Sequence, residues 1–165
     1  MDIYEQRIAK FREAMATSGL DHLVFYSDAQ HSFLGSDGVL YASGFKAMAP
    51  SAVLLPKDGD LALVLTPVWD EARARRASSG IERMIAANDF PAAFAGTVQQ
   101  LGLGASKAGL VGARAARRST LGFFAGLFPN GMQAFDKEFD DLTQSKDDLE
   151  IRYLREAAEI AERGY

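Results

Sequence analysis

Cysteine is absent from the sequence, which excludes disulfides, thiolate zinc sites and cysteine nucleophiles together. Histidine is scarce: His22 and His31 are the only two, and their separation does not place them on one helical face. Positive charge is not in excess either. Eighteen Lys and Arg face 22 Asp and Glu, a formal net charge of −4, which offers no broad attraction to phosphate backbones, so nucleic acid is not an expected partner. No apolar run is long enough to cross a bilayer, so no membrane partner is expected. The opening Met1-Asp2-Ile3-Tyr4-Glu5 is polar and acidic where a secretory leader would be basic and then apolar. With cysteine missing as well, a cytoplasmic setting is the expected localisation.

What is present is apolar residue in quantity. Hydrophobic types make up 48% of 165 residues, enough for one substantial core and hardly for two. Asp2, followed by Glu5, suits a helix start, and Tyr4, Ile8, Phe11 and Met15 recur on one face until Gly19. Leu23-Val24-Phe25-Tyr26 is a short apolar run of the kind that forms a buried strand. The chain from Ser27 to Gly38 then turns polar. Ser51 to Leu55 and Leu61 to Leu65 flank Pro56-Lys57-Asp58-Gly59-Asp60, whose Asp-Gly pair favours a reversal, so an antiparallel hairpin is expected. Trp69, Ala72 and Arg76 fit a helix, Ile81 to Ile85 a strand, and Pro91 to Leu101 a helix opened by Asp89 and closed by Gly102. Ala108 to Val111 reads as a strand, Ser119 as the cap of a helix through Phe128, and Met132 to Phe135 as an edge strand beyond the Pro129-Asn130-Gly131 turn. Alternating helices and strands predict a three-layer α/β/α sandwich, and the hairpin requires a mixed sheet.

The carboxy-terminal part has another character. Asp136 to Thr143 reads as an acidic loop, and Ser145 as the cap of a helix with Asp147, Asp148 and Glu150 in its first turn. Leu149, Tyr153, Leu154, Ala157, Ile160, Ala161 and Gly164 form an apolar or small stripe. The expected boundary lies near Leu142, giving a domain over 1–142 and a linker with helix over 143–165 whose apolar stripe was shaped to cover something else.

Three segments in this order resemble the creatinase/prolidase amino-terminal domain of the pita-bread (M24-type) metallopeptidase-like hydrolases. They are the Arg7–Met15 helix leading into Gly19-Leu20-Asp21-His22-Leu23-Val24, the stretch Leu40-Tyr41-Ala42-Ser43-Gly44-Phe45, and Ser145–Ala161 with Lys146-Asp147-Asp148-Leu149-Glu150-Ile151 and Arg155-Glu156-Ala157-Ala158. From Phe90 to Phe135 the match is one of element order. The resemblance implies a ribonuclease H-like mixed sheet between helices, followed in the family by a catalytic domain holding two divalent metal ions (manganese, cobalt or zinc) on aspartates, a histidine and glutamates. Those ligands cannot be carried onto any residue here, so neither a catalytic residue nor a cofactor or metal is assigned to this chain. Its implied partners are that catalytic domain and a second subunit in a homodimer. The family includes Xaa-Pro dipeptidases and aminopeptidases as well as metal-independent creatinases, so the substrate of the whole protein stays open. In dimeric relatives this domain borders the other subunit's active-site entrance, which makes Phe45, Lys46 and Met48 substrate-access candidates, Lys46 as a point charge for a carboxylate.

Other constellations carry less. His22 and His31 with Asp21, Asp28 and Asp37 contain metal-ligating types, but surface hydrogen-bonding or titrating histidines are the simpler reading. Gly102-Leu103-Gly104 and Gly109 follow a helix and precede a strand, the reverse of a dinucleotide loop. Gly35-Ser36-Asp37-Gly38 is not a nucleophile elbow and reads as a flexible loop. Arg114, Arg117 and Arg118 follow a strand and are weak anion-binding candidates, since guanidinium grips carboxylate or phosphate bidentately. Two alternatives follow: a self-contained small-ligand-binding module using those arginines, and a pure dimerisation domain.

Overall fold

A computed structural model describes residues 3–30, 37–78 and 80–164. The first helix, α1 (Ile3–Ser18), buries Ile8, Phe11 and Met15 as its periodicity requires, and also Arg7. Asp2, its expected cap, lies outside the described residues. The Leu20 N–H bonds back to the Met15 carbonyl at 3.0 Å, and Gly19, at φ +65°, turns the chain into β1 (His22–Ser27). A short helix that the sequence pattern did not announce, α2 (Gly38–Ser43), follows the polar loop. The hairpin is formed by β2 (Ser51–Pro56) and β3 (Ala62–Leu65), antiparallel with Ser51 opposite Leu65. A 3-10 turn at Val68–Asp70 leads into α3 (Glu71–Ala77), and β4 (Arg83–Ala86) returns parallel to β3. Asp89 caps α4 (Phe90–Gln100) by accepting the Ala92 N–H at 3.0 Å. Then come β5 (Ala108–Val111), α5 (Arg118–Leu127) and β6 (Met132–Ala134).

Among the described residues these strands form one six-stranded sheet in the order β4-β3-β2-β1-β5-β6. It is mixed, because β1 pairs antiparallel with β2 and parallel with β5. Side chains alternate across a strand, and here each face feeds its own core. Leu23, Phe25, Val53, Leu55, Leu63 and Leu65 point to one side, where α1, α2, α3 and a further helix, α6 (Asp136–Thr143), cover them. Val24, Tyr26, Leu54, Val64 and Leu110 point to the other, under α4 and α5. The expected three-layer α/β/α arrangement with a mixed sheet is therefore found. The edge position expected for β6 holds too.

Four local expectations fail here, besides the helix expected to include Trp69, which lies in the 3-10 turn before α3. Asp136–Thr143 is the helix α6, not a loop: Phe139 is buried and stacks on Phe11 at 5.8 Å, while Asp136 is buried at the helix start, Asp140 and Asp141 are exposed, and Asp141 pairs with Lys137 one turn away at 2.6 Å. The acidic composition hid an amphipathic pattern carried by Phe135, Phe139 and Thr143. Ser119 does not cap α5; Arg117, extended at φ −66° and ψ 152°, takes that position with no side-chain cap bond. Its carbonyl already accepts the Leu121 N–H at 3.0 Å, which places Ser119 inside the first turn. Ser145 does not cap the last helix, α7 (Asp148–Arg163). Asp147 accepts the Glu150 N–H at 2.9 Å and Glu150 returns a bond from the Asp147 N–H at 3.1 Å, a reciprocal capping box. The fourth concerns His22, which is fully buried rather than a surface group.

Candidate functional site

The loop between α2 and β2 is fixed from both ends of α2. Asp37 precedes α2 and uses both carboxylate oxygens: Oδ1 accepts the Leu40 N–H at 3.1 Å, and Oδ2 meets Lys46 Nζ at 3.2 Å. Gly44 ends α2 at φ +76°, and a Cβ there would lie 2.6 Å from the Tyr4 hydroxyl oxygen and 2.9 Å from the Ala77 carbonyl. Only glycine meets both demands. The chain then drives Phe45 inward to 0% exposure, its N–H held by Ser43 Oγ at 3.2 Å. Arg73 lies over the Phe45 ring at 4.5 Å and is itself gripped at two points by the buried carboxylate of Asp70, at 2.7 and 2.6 Å. Of the three substrate-access candidates, then, Phe45 belongs to the core, Lys46 reaches solvent while paired with Asp37, and Met48 is 69% exposed.

By its sequence pattern Trp69 fits a helix. It sits in the 3-10 turn before α3 and is 69% exposed, beside the half-exposed Val68. Thr66 ties this turn to the Met48 loop, since its N–H and hydroxyl both reach the Pro50 carbonyl, at 3.2 and 2.7 Å. Met48 and Trp69 therefore leave the sheet at the same end. A lone tryptophan beside Pro67 was the available signal.

The arginine group sits elsewhere, beyond the end of β5. Gly112 turns the chain there at φ +94°, where a Cβ would collide with the Tyr26 carbonyl, and its N–H donates to Asp136 Oδ1 at 2.8 Å. Arg114 pairs with Asp140 of α6 at 2.6 Å, whereas Arg117 donates to the Gln30 side chain at 3.1 Å. Arg118 opens α5 on the surface. The structure thus draws the first two toward different elements and does not converge them on one point.

His22 opens β1, and its side chain meets the turn that precedes β5. Its Nδ1 lies 2.9 Å from Ser106 Oγ, and that hydroxyl also donates to the Leu103 carbonyl at 2.5 Å. The hydroxyl's single proton is committed there, so Nδ1–H is the donor toward Ser106 and Nε2 is the bare nitrogen. Nε2 is buried with no partner, and the ring packs on Phe128 at 4.7 Å. Burial pushes the imidazole down to about 4, against a smaller upward pull from Asp21. His31 and Ser36 fall outside the described residues. Among those described, no group of three or more His, Asp or Glu is placed to hold a metal ion, and none is long and apolar enough as a helix to cross a membrane. Gly102, at φ +67°, follows α4, and Gly109 lies within β5, so no glycine of that group opens a helix.

At the far side of α1 the carboxy-terminal helix meets the domain. Arg7 Nε donates to Asp147 Oδ2 at 2.6 Å, its Nη1 to the Tyr41 carbonyl at 3.0 Å, and its guanidinium lies 4.0 Å from the centre of the Tyr41 ring. Burial alone would raise the Asp147 carboxyl and lower Arg7. The hydrogen bond and opposite charge reverse both, holding Asp147 below the usual carboxylate range and Arg7 above its ordinary value.

Residues 7–156 match the sequence profile of the creatinase/prolidase N-terminal domain. The chain belongs to that family. No curated protein matches it. Its fold is similar to that of the Xaa-Pro dipeptidase from Bacillus anthracis (TM-score 0.75, 22% identity), covering 97% of this chain and 41% of that one. The prolidase from Pyrococcus horikoshii OT3 gives TM-score 0.73 at 16% identity, with 96% and 40% covered. The isolated N-terminal domain of the cytoplasmic peptidase PepQ from Mycobacterium tuberculosis H37Rv gives TM-score 0.64 at 21% identity, with 83% of this chain and 98% of that one. The creatinase/prolidase domain thus spans about two fifths of the length of the two longer enzymes.

Proposed function

We propose that this is the non-catalytic amino-terminal domain of a creatinase or Xaa-Pro peptidase-like hydrolase, shaping substrate access and subunit pairing while a following domain performs the chemistry. The observation that supports it is the difference in coverage. Longer relatives take in nearly all of this chain, α7 included in the share, whereas the isolated PepQ domain leaves about a sixth of it uncovered. That share is close to the size of the segment from residue 143 onward, the linker and helix assigned to the junction. The stripe of α7 is exposed, with Leu154 at 60% and Ile160 at 71%, as a face awaiting a catalytic domain would be. The pairing of two metal ions with that domain is part of the same reading. When bound there, they would polarise the scissile carbonyl and activate water; among the described residues of this chain no His, Asp and Glu group is placed to hold them.

Within the reading, Lys46 and Met48 are the residues on the access loop that reach solvent, and Phe45 supports them from beneath. Assay of the 165-residue chain against Xaa-Pro dipeptides and creatine, with manganese, cobalt or zinc added, should give no turnover. Reproducible turnover by rigorously purified chain would overturn the assignment. In a polypeptide that carries the catalytic domain, Lys46→Ala should change KM for small carboxylate substrates more than it changes Tm. Unchanged constants across several such substrates would remove Lys46 from the access loop.

A further inference from the structure

We propose that Arg7 is the positioning residue that fixes the direction in which α7 leaves the α/β domain, acting through the helix's own amino-terminal cap. The need for such a device follows from what α7 lacks. None of its 16 residues is buried, so no packed face sets its angle. At its base lies a cleft of about 250 Å³ lined by Tyr4, Tyr41, Phe139, Leu149 and Tyr153, where close packing would otherwise hold it. Among the described residues, Arg7 is the cation seen to reach across from α1. It is rooted in the second turn of α1 with its side chain 6% exposed, and it contacts the Asp147 carboxylate at 2.6 Å and Glu150 at 3.9 Å. Those two acids are both members of the capping box. The side chain that starts the helix is thereby the side chain that anchors it.

The arrangement is directional rather than merely adhesive. The guanidinium is planar with donors at fixed angles. It is oriented by the Tyr41 carbonyl on one side and by the faces of Tyr41 and Tyr4, at 4.0 and 5.2 Å, on the others. A fork held at that many points can accept the Asp147 carboxylate from one approach. The consequence grows along the helix: 16 residues extend about 24 Å, so a tilt of about 20° at the base displaces the far end by about 8 Å. The functional weight of that displacement rests on the reading that a catalytic domain follows, but the positioning itself does not.

The test is a distance measurement on the 165-residue chain, which has no native cysteine. Nitroxide labels at Ala16→Cys in α1 and Glu162→Cys in α7 should give one narrow distance distribution by double electron–electron resonance. Arg7→Met should at least double its width, and Arg7→Lys, which keeps the charge but not the fork, should fall between. Asp147→Ser keeps a good capping oxygen but is too short to reach Arg7; it should broaden the distribution while far-UV helicity stays unchanged. That combination separates loss of direction from loss of helix, and it carries the test should Arg7→Met fail to fold. Arg152→Ala, on the exposed face of α7, should leave the width as it was. A distribution that keeps its width in Asp147→Ser, or one already broad in the unaltered chain, would overturn the proposal, and since no turnover is measured, that outcome would leave the hydrolase reading standing.

Discussion

Acidification from about pH 6.5 to 4 should destabilise this domain through His22. The ring sits at 0% exposure with Nε2 unpartnered and Phe128 against it, so a proton on Nε2 creates a buried charged donor with nothing to receive it. The folded-state value is pushed down to about 4 from 6.5. The unfolded chain therefore takes up the proton first. Stability is full above about pH 6.5 and falls as the pH drops toward 4, below which both states are protonated and the loss is complete. Linkage puts the cost at about 2 kcal/mol by pH 5 and about 3 kcal/mol by pH 4. For a chain of this size, about 2 kcal/mol lowers Tm by roughly 6 °C. Urea unfolding at half-unit steps from pH 7.5 to 4.5 measures the slope directly. His22→Gln, which can still reach Ser106 and does not titrate, should flatten the curve between pH 6.5 and 5. Asp147 acts elsewhere on the scale: its lowered value makes its contribution present above the unfolded value of about 3.8 and lost only as pH falls through the folded one. If His22→Gln kept the full slope between pH 6.5 and 5, the account of the buried imidazole would be wrong.

Phe139→Ala should cost about 3 to 4 kcal/mol in chemical denaturation, because the ring is buried in an aromatic cluster with Phe11, Phe25 and Tyr41; a loss below about 1 kcal/mol would mean that α6 is not part of the core. Gly112→Ala should be among the most damaging single changes, combining a strained φ with a backbone collision against Tyr26, and near-normal Tm would contradict the described turn. Ending the chain after Gln144 should leave the α/β domain cooperatively folded and weaken any concentration-dependent self-association seen by sedimentation, since the exposed face of α7 goes with it. Unfolding on that truncation would instead place α7 within the domain's own stability.

How much of this was legible depended on where the apolar residues fell. The hairpin could be read because Asp58-Gly59 separates two runs of unmistakable β character, and β1 and β5 because four apolar residues in succession suit a strand buried on both faces. The helix α6 could not, since Asp136, Glu138, Asp140 and Asp141 outweigh Phe139 and Leu142 in a compositional reading. Nor could α2: its signal was one capping aspartate, Asp37, followed by six residues, too few for a period to repeat. Capping was misjudged at both Ser119 and Ser145 for one reason. A hydroxyl residue near a helix start is a common cap, but the residue whose backbone is extended at the boundary decides, and that is a property of the folded chain. Phe45 and Lys46 illustrate the limit for sites: adjacent in sequence, they point to opposite environments, Phe45 into the core and Lys46 toward Asp37 and solvent. Arg7 carried no signal of its own, one arginine in a surface-type helix. Its significance appears only when Asp147, far away in the chain, is brought to it.

The separation of the interior into two aromatic compartments, with Phe25 on one side of the sheet and Tyr26 on the other, places an unusual restriction on how such a chain can lengthen or shorten over time. Inserting one residue inside β1 would send Phe25 toward α4 and α5 and Tyr26, with its hydroxyl, toward α1 and α6, inverting every later contact of that strand. Neither compartment could absorb the exchange, because both are filled. Length change is therefore confined to the connections, such as the Lys57–Asp60 turn, whose residues are exposed and whose extension costs little. Lineages of this domain can drift far in residue identity while their strands keep a fixed count, each strand acting as a ruler with no tolerance for an extra division.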